Sequence, residues 1–195
     1  MREFPLYVLP TVGYWRDFLI NDTNYWNTGE TYHKQSPRNH FHIAAANGVM
    51  KLTLPVRKET KGGPVRSVEL DYAEPWQRKH WQAIESAYRN APFFEFYGYR
   101  FESIWFEEHT TLEQKSLALN ELFLKQLGVE LLAPQVRFEP KRTLPNKDEW
   151  EQVDKPWNQV FEDRYGFQGH VSALDLLFNE GPDAMKWIYD RSASS

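Results

Sequence analysis

Residues 40–56 read His40-Phe41-His42-Ile43-Ala44-Ala45-Ala46-Asn47-Gly48-Val49-Met50-Lys51-Leu52-Thr53-Leu54-Pro55-Val56. Asn47-Gly48 lies between apolar, partly alternating segments, and Asn-Gly is a strong hairpin signal because both central residues of a type I′ turn need positive φ. The spacing predicts strands over Phe41 to Ala45 and Val49 to Val56. Leu52, Leu54 and Val56 alternate with Lys51, Thr53 and Pro55, so one face of the second strand is core. A polar cluster feeds directly into this hairpin: Tyr32, His33, Lys34, Gln35, Arg38, Asn39, His40 and His42. Hydrogen-bond donors and cations on a rigid scaffold point there for an anionic or sugar-like ligand.

On the N-terminal side, Phe4 to Val8 has strand character. Leu9-Pro10-Thr11 reads as a turn into a helix capped by Thr11 and running to about Ile20, with Trp15, Phe18 and Leu19 on its buried stripe. Asn24 to Thr28 is a second short strand. After the hairpin, Lys58 to Pro64 reads as a charged loop, and Val65 to Leu70 as a further strand. Lys61-Gly62-Gly63 lacks the remaining residues of a phosphate loop and reads as a flexible turn.

The second half turns helical. Pro75 suits the first turn of a helix carrying Trp76, His80, Trp81, Ile84, Ala87 and Tyr88, which Asn90-Ala91-Pro92 ends. Phe101 to Phe106 is predicted helical. Thr111 and Gln114 have capping-box spacing ahead of a leucine-rich helix that Gly128 stops. Gln135 to Phe138 reads as a strand and Lys147 to Lys155 as a surface loop or weak helix. Ser172 is placed to cap a helix through Phe178, and a last helix runs through Ile188. The expected architecture is an α/β single domain over residues 1–195, with a mixed sheet, the Asn-Gly hairpin and flanking helices.

Cysteine is absent, which excludes disulfides, thiolate metal sites and a cysteine nucleophile, and fits a reducing, cytoplasmic compartment. No segment has the apolar length of a membrane span. The net charge of −4 and pI near 5.9 argue against a broad nucleic-acid face. Eight Trp, ten Tyr and thirteen Phe supply rings for stacking on sugars, although core packing is the commoner use of any single ring.

Leu9-Pro10-Thr11-Val12-Gly13-Tyr14-Trp15, Tyr32-His33-Lys34-Gln35-Ser36-Pro37-Arg38-Asn39 and Leu52-Thr53-Leu54-Pro55-Val56 resemble the WbqC-like protein family. Trp76 to Tyr88, Ala91-Pro92-Phe93-Phe94, Leu127-Gly128 and Ser172 to Gly181 extend the resemblance over nearly the whole chain. Members of that family are often associated with bacterial surface-polysaccharide gene clusters. The resemblance therefore implies a role in sugar or glycan biosynthesis, and it identifies no cofactor. Related motifs often read Arg-Asn-Arg where this chain has Arg38-Asn39-His40. That exchange of a permanent cation for an imidazole implies weaker anion binding near neutral pH, or a different ligand.

The polar cluster yields specific expectations. Lys34 and Arg38 bind an anionic group, Gln35, Asn39 and His40 complete the binding arc, and Tyr32 or His42 takes part in proton transfer. On this reading Arg38→Ala abolishes binding and leaves the melting temperature nearly unchanged. The bland alternative is a solvated loop tied to the sheet by its own hydrogen bonds. His40 and His42 share a strand face, but two histidines do not make a metal site without a third ligand such as His80 or Asp71, and no metal is assigned. His80 is a possible base, or a partner for a strand carbonyl. Asp175 and Asn179, one turn apart, either close a polar pocket or serve the start of their helix. The expected partner is a small anionic or sugar ligand, and the expected reaction is group transfer on an activated sugar or phosphorylated precursor. The competing reading is a non-catalytic glycan- or protein-binding module.

Overall fold

The computed structural model describes residues 2–20, 23–34, 36–129, 136–139 and 156–189. β1 (Glu3–Pro5), β2 (Tyr25–Asn27) and β5 (Val136–Arg137) form a parallel sheet in the order β1-β2-β5. β3 (His40–Ala45) and β4 (Gly48–Thr53) form a separate antiparallel hairpin. The helices are α1 (Val12–Leu19), α2 (Trp76–Tyr88), α3 (Phe94–Phe106), α4 (Leu112–Gln126), α5 (Glu162–Tyr165), α6 (Leu174–Glu180) and α7 (Ala184–Tyr189). The fold is α/β, with parallel and antiparallel pairing divided between two sheets.

α1 forms where its cap and apolar spacing coincide. The Thr11 hydroxyl accepts from the Tyr14 amide at 3.4 Å, and Trp15 and Phe18 turn inward. Phe18 stacks on Trp26 of β2 with centroids 4.7 Å apart, and Trp15 stacks on Phe123 of α4 at 5.2 Å. These aromatic contacts join α1, the parallel sheet and α4, and each such pair adds about 0.5–1.5 kcal/mol beyond its buried area. α4 has the full capping box: Thr111 accepts from the Gln114 amide, and the Gln114 side chain accepts from the Thr111 amide. Gly128, at φ 74°, follows it.

The hairpin register pairs His40 with Thr53, His42 with Lys51 and Ala45 with Gly48. Ala46 and Asn47 make the turn, and of the Asn47-Gly48 pair only Gly48 (φ 98°) has positive φ, so the expected type I′ geometry is replaced by a turn that hands its left-handed residue to the glycine. Phe41, Ile43 and Leu52 face the core, while His40, His42, Lys51 and Thr53 share the other face. The Tyr88 hydroxyl of α2 accepts from the Ala44 amide at 3.3 Å and so ties the helical layer to β3.

Several expected elements differ. Val65 to Leu70 is not a strand. Pro64 (φ −65°) opens a 3-10 turn at Val65–Ser67, held by a Val65 amide bond to the Glu30 carbonyl at 2.9 Å and a Ser67 hydroxyl bond to the Pro64 carbonyl at 2.9 Å. Within Val65 to Leu70, Glu69 bridges to Thr111 and Leu70 to Val56 as isolated pairs. β4 ends at Thr53 because Pro55 interrupts the ladder, although Leu54 and Val56 are buried as expected. α3 begins at Phe94, earlier than the periodicity indicates, and leaves Phe96 and Tyr99 exposed. Ser172 stands one residue before the α6 N-cap, its hydroxyl accepting from the Leu174 amide at 3.2 Å. Gln135 and the Lys147 to Lys155 segment lie outside the described residues.

Candidate functional site

An open groove of about 340 Å³ runs beside the His40 face of the hairpin. This lies within the size range of small-molecule sites. Its cationic rim is Lys34, Lys51 and Lys61, its polar wall is Tyr32, Asn39, His40 and Thr53, and its apolar floor is Leu54, Pro55 and Val56. Among the described residues no carboxylate belongs to this lining, and none of the three lysines forms an ion pair with a described residue. A groove with this charge pattern attracts an anion.

Local hydrogen bonds hold the groove in shape. The Tyr32 amide donates to the Gly63 carbonyl at 3.0 Å and Thr31 bridges to Pro64, which brings the Lys61 loop alongside the residues before β3. Asn39 exchanges bonds with Leu54: its side-chain amide donates to the Leu54 carbonyl at 3.0 Å, and its own carbonyl accepts from the Leu54 amide at 2.8 Å. Asn39 therefore fastens the groove as well as lining it. The Ser36 hydroxyl donates to the His33 carbonyl at 2.7 Å and folds the chain next to Lys34.

Tyr32, Lys34, Asn39 and His40, all picked out in the sequence, converge here. Gln35 lies outside the described residues. Arg38 does not reach the groove. It is fully buried, its Nε donating to Glu30 Oε1 at 2.9 Å and its Nη2 to Glu30 Oε2 at 2.6 Å, while its guanidinium lies 5.7 Å from the Tyr7 ring centroid. The expectation that Arg38 neutralises a ligand gives way to this geometry, because its charge is already matched by a carboxylate in the interior. His42 also stands off the groove lining, two pairs further along the hairpin on the same face, opposite Lys51. Lys51 and Lys61 escaped sequence reasoning. The cross-strand register places Lys51, and the weak Lys61-Gly62-Gly63 signal was the sole pointer to the loop lysine.

Electrostatics set the protonation states. Burial, then Lys51, then His42 push the His40 imidazole down to about 4, so it enters neutral solution as an uncharged ring. Burial, His170 and Lys51 likewise lower His42. Burial raises the Tyr32 phenol against the opposing pull of Arg38, which keeps it protonated and suited to donating a hydrogen bond. His40 and His42 have ring centroids 5.5 Å apart, and His170 stands 6.2 Å beyond His42. The Ser172 amide donates to the His42 carbonyl at 2.8 Å and so draws the His170 segment onto the hairpin. Among the described residues no group of three or more His, Cys, Asp or Glu is placed to hold a metal ion.

The remaining candidates belong to the interior. His80 is packed against Trp76 and Trp105, with centroids 5.5 and 5.9 Å away, and burial pushes it down to about 4. Its Nδ1 has no hydrogen-bond partner among the described residues, so the expected strand-carbonyl bond is not made there. Asp175 is buried, and Oδ1 accepts from Trp157 Nε1 at 2.6 Å and Gln159 Nε2 at 2.9 Å. Asn179 donates to the Asp175 carbonyl at 2.8 Å. The pair is structural and lines no part of the groove.

The model of the WbqC-like protein family matches residues 6–146, and the chain belongs to that family. The matched span includes the whole groove but stops short of the Ser172 to Gly181 segment, which the resemblance in sequence had included. No curated protein and no solved structure matches the chain.

Proposed function

We propose that this WbqC-like protein binds the anionic group of an activated sugar or phosphorylated precursor in the hairpin groove and transfers a group from or to it, in cytoplasmic surface-polysaccharide or sugar metabolism. The observation that carries the reading is the convergence of Lys34, Lys51 and Lys61 on one groove whose described lining holds no carboxylate and includes Tyr32, Asn39 and His40. Three ammonium groups suit a phosphate or diphosphate, which lysine binds as a point charge. Tyr32, a protonated phenol, donates to the bound group, and Asn39 orients it. His40, uncharged and on the wall, is the proton acceptor in place of His42, because a base must come within hydrogen-bond reach of the proton it removes. The setting in polysaccharide biosynthesis comes from the family's usual gene context. No described helix is long and apolar enough to cross a membrane, which is compatible with this setting.

A thermal-shift screen against sugar phosphates and nucleotide sugars tests the reading, because a ligand that binds the native state raises its stability with ligand excess. The expected result is a shift with a phosphorylated sugar that the Lys34→Ala/Lys61→Ala variant loses, followed by product detected by mass spectrometry. An equal shift in that variant removes the groove from the proposal. Binding without turnover favours the alternative of a non-catalytic module, to which the exposed α3 rings Phe96 (65%) and Tyr99 (58%) offer contact surface.

A further inference from the structure

We propose that the groove takes up a dianionic group of the phosphate class together with a proton, held on the neighbouring imidazoles His40 and His42. This inference rests on the groove being the ligand site.

The pair has one end in the groove. His40 lines it, His42 lies behind at 5.5 Å, and His170 follows at 6.2 Å. The charged groups that bear on it are cationic. Lys51 on β4 faces His42 in register, while Lys34 from the segment before β3 and Lys61 from the loop after β4 stand on the groove rim beside His40. His170 enters from the segment ahead of α6, and among the described residues no carboxylate lines the groove. With no anion present these fields oppose protonation, and Lys51 contributes to holding both His40 and His42 neutral.

Lys51 is also one of the residues that line the groove. A dianion in the groove offsets the Lys51 contribution to that suppression, burial being the larger cause, and adds a field of the opposite sign. Protonation then becomes less unfavourable. His40 and His42, 5.5 Å apart, take up the incoming proton as a coupled pair. By linkage, anion affinity rises as pH falls.

Sulfate is the probe, because it stays a dianion across the range examined and any pH dependence belongs to the protein. Sulfate is titrated into the full chain at pH 7.5 and pH 4.5, with chloride at matched ionic strength as control, following the histidine ring protons by NMR. Expected are an upward move of the His40 titration from about 4 by roughly one unit under saturating sulfate and, as that shift requires, about threefold tighter binding at pH 4.5. His40→Gln is read by the ratio of its affinities at the two pH values, which loses the gain on acidification. Equal affinity at both pH values, or an unmoved His40 titration, overturns the proton linkage and leaves the groove standing. A full gain in His40→Gln assigns the effect to general charging of the protein and also overturns it. Absence of binding at either pH, or binding unaffected by Lys34→Ala/Lys61→Ala, overturns the groove itself and the linkage with it.

Discussion

Arg38 and Glu30 form a two-pronged ion pair, with Nη2 to Oε2 at 2.6 Å and Nε to Oε1 at 2.9 Å, and both side chains are wholly shielded from solvent. The pair closes the segment carrying Tyr32 and Lys34 upon itself, since Glu30 enters it and Arg38 leaves it for β3. Removing one partner strands a charge where neither water nor another ion can reach it.

Arg38→Ala is therefore expected to destabilise the protein by about 3–5 kcal/mol, the cost of breaking a buried pair. The double variant Glu30→Gln/Arg38→Met, which leaves no bare charge, is expected to lose less. Urea unfolding of the two variants decides the matter. If Arg38→Ala unfolds at the wild-type midpoint and fails to bind ligand, the guanidinium belongs to the site after all.

Asp175 gives a pH signature of definite sign. Burial raises its carboxyl to about 6 against the pull of the Trp157 and Gln159 donors. The folded protein thus holds this proton more tightly than the unfolded chain does. The stabilisation is complete below about pH 4 and is lost as pH rises through 6. Asp175→Asn keeps an acceptor for Trp157 and Gln159 but cannot ionise. Relative to wild type, the variant is expected to gain roughly 2–3 kcal/mol between pH 4 and pH 7.5. A constant difference in unfolding free energy across that range would falsify the assignment.

Lys115 predicts an effect on the alkaline side. Its buried ammonium donates to the carbonyls of Ile104, at 2.8 Å, Trp105, at 3.1 Å, and Glu107, and so completes the end of α3. Burial lowers it to about 8 despite Glu107 and Glu108. Between about pH 8 and the ordinary lysine range the unfolded chain holds more protons, so this group makes stability rise with pH there. Lys115→Met is expected to cost about 1–3 kcal/mol through unpaired carbonyls and to abolish that rise. Guanidinium unfolding at pH 7.5 and pH 9.5 measures both.

The α4 cap offers a smaller, local prediction. Thr111→Ala removes the acceptor for the Gln114 amide and should cost about 1 kcal/mol. Gln114→Ala alone removes the reciprocal half. The two losses should add to more than the double variant shows, because both act in one box, and a double-mutant cycle by thermal unfolding measures the coupling.

Much of this architecture was written in short stretches of chain. Alternation in Leu52, Leu54 and Val56, the Thr11 and Thr111 caps and the glycine at position 128 act over a few residues, so periodicity and capping chemistry were enough to place the hairpin, α1 and α4. The grouping of Tyr32, Lys34, Asn39 and His40 was legible for the same reason, since the segment runs straight into β3.

What the tertiary structure decided depends on groups far apart in the chain. Glu30 and Arg38 look alike as solvated charges until packing excludes water from both, and only then does pairing dominate. Lys51 enters the groove through cross-strand register, and Lys61 through the bridge from Thr31 to Pro64. His170 meets His42 because the Ser172 amide bonds to the hairpin. Local sequence chose the elements and the residue types that can bind an anion. Burial and long-range hydrogen bonding decided which of those charges neutralise one another and which stay in the open groove.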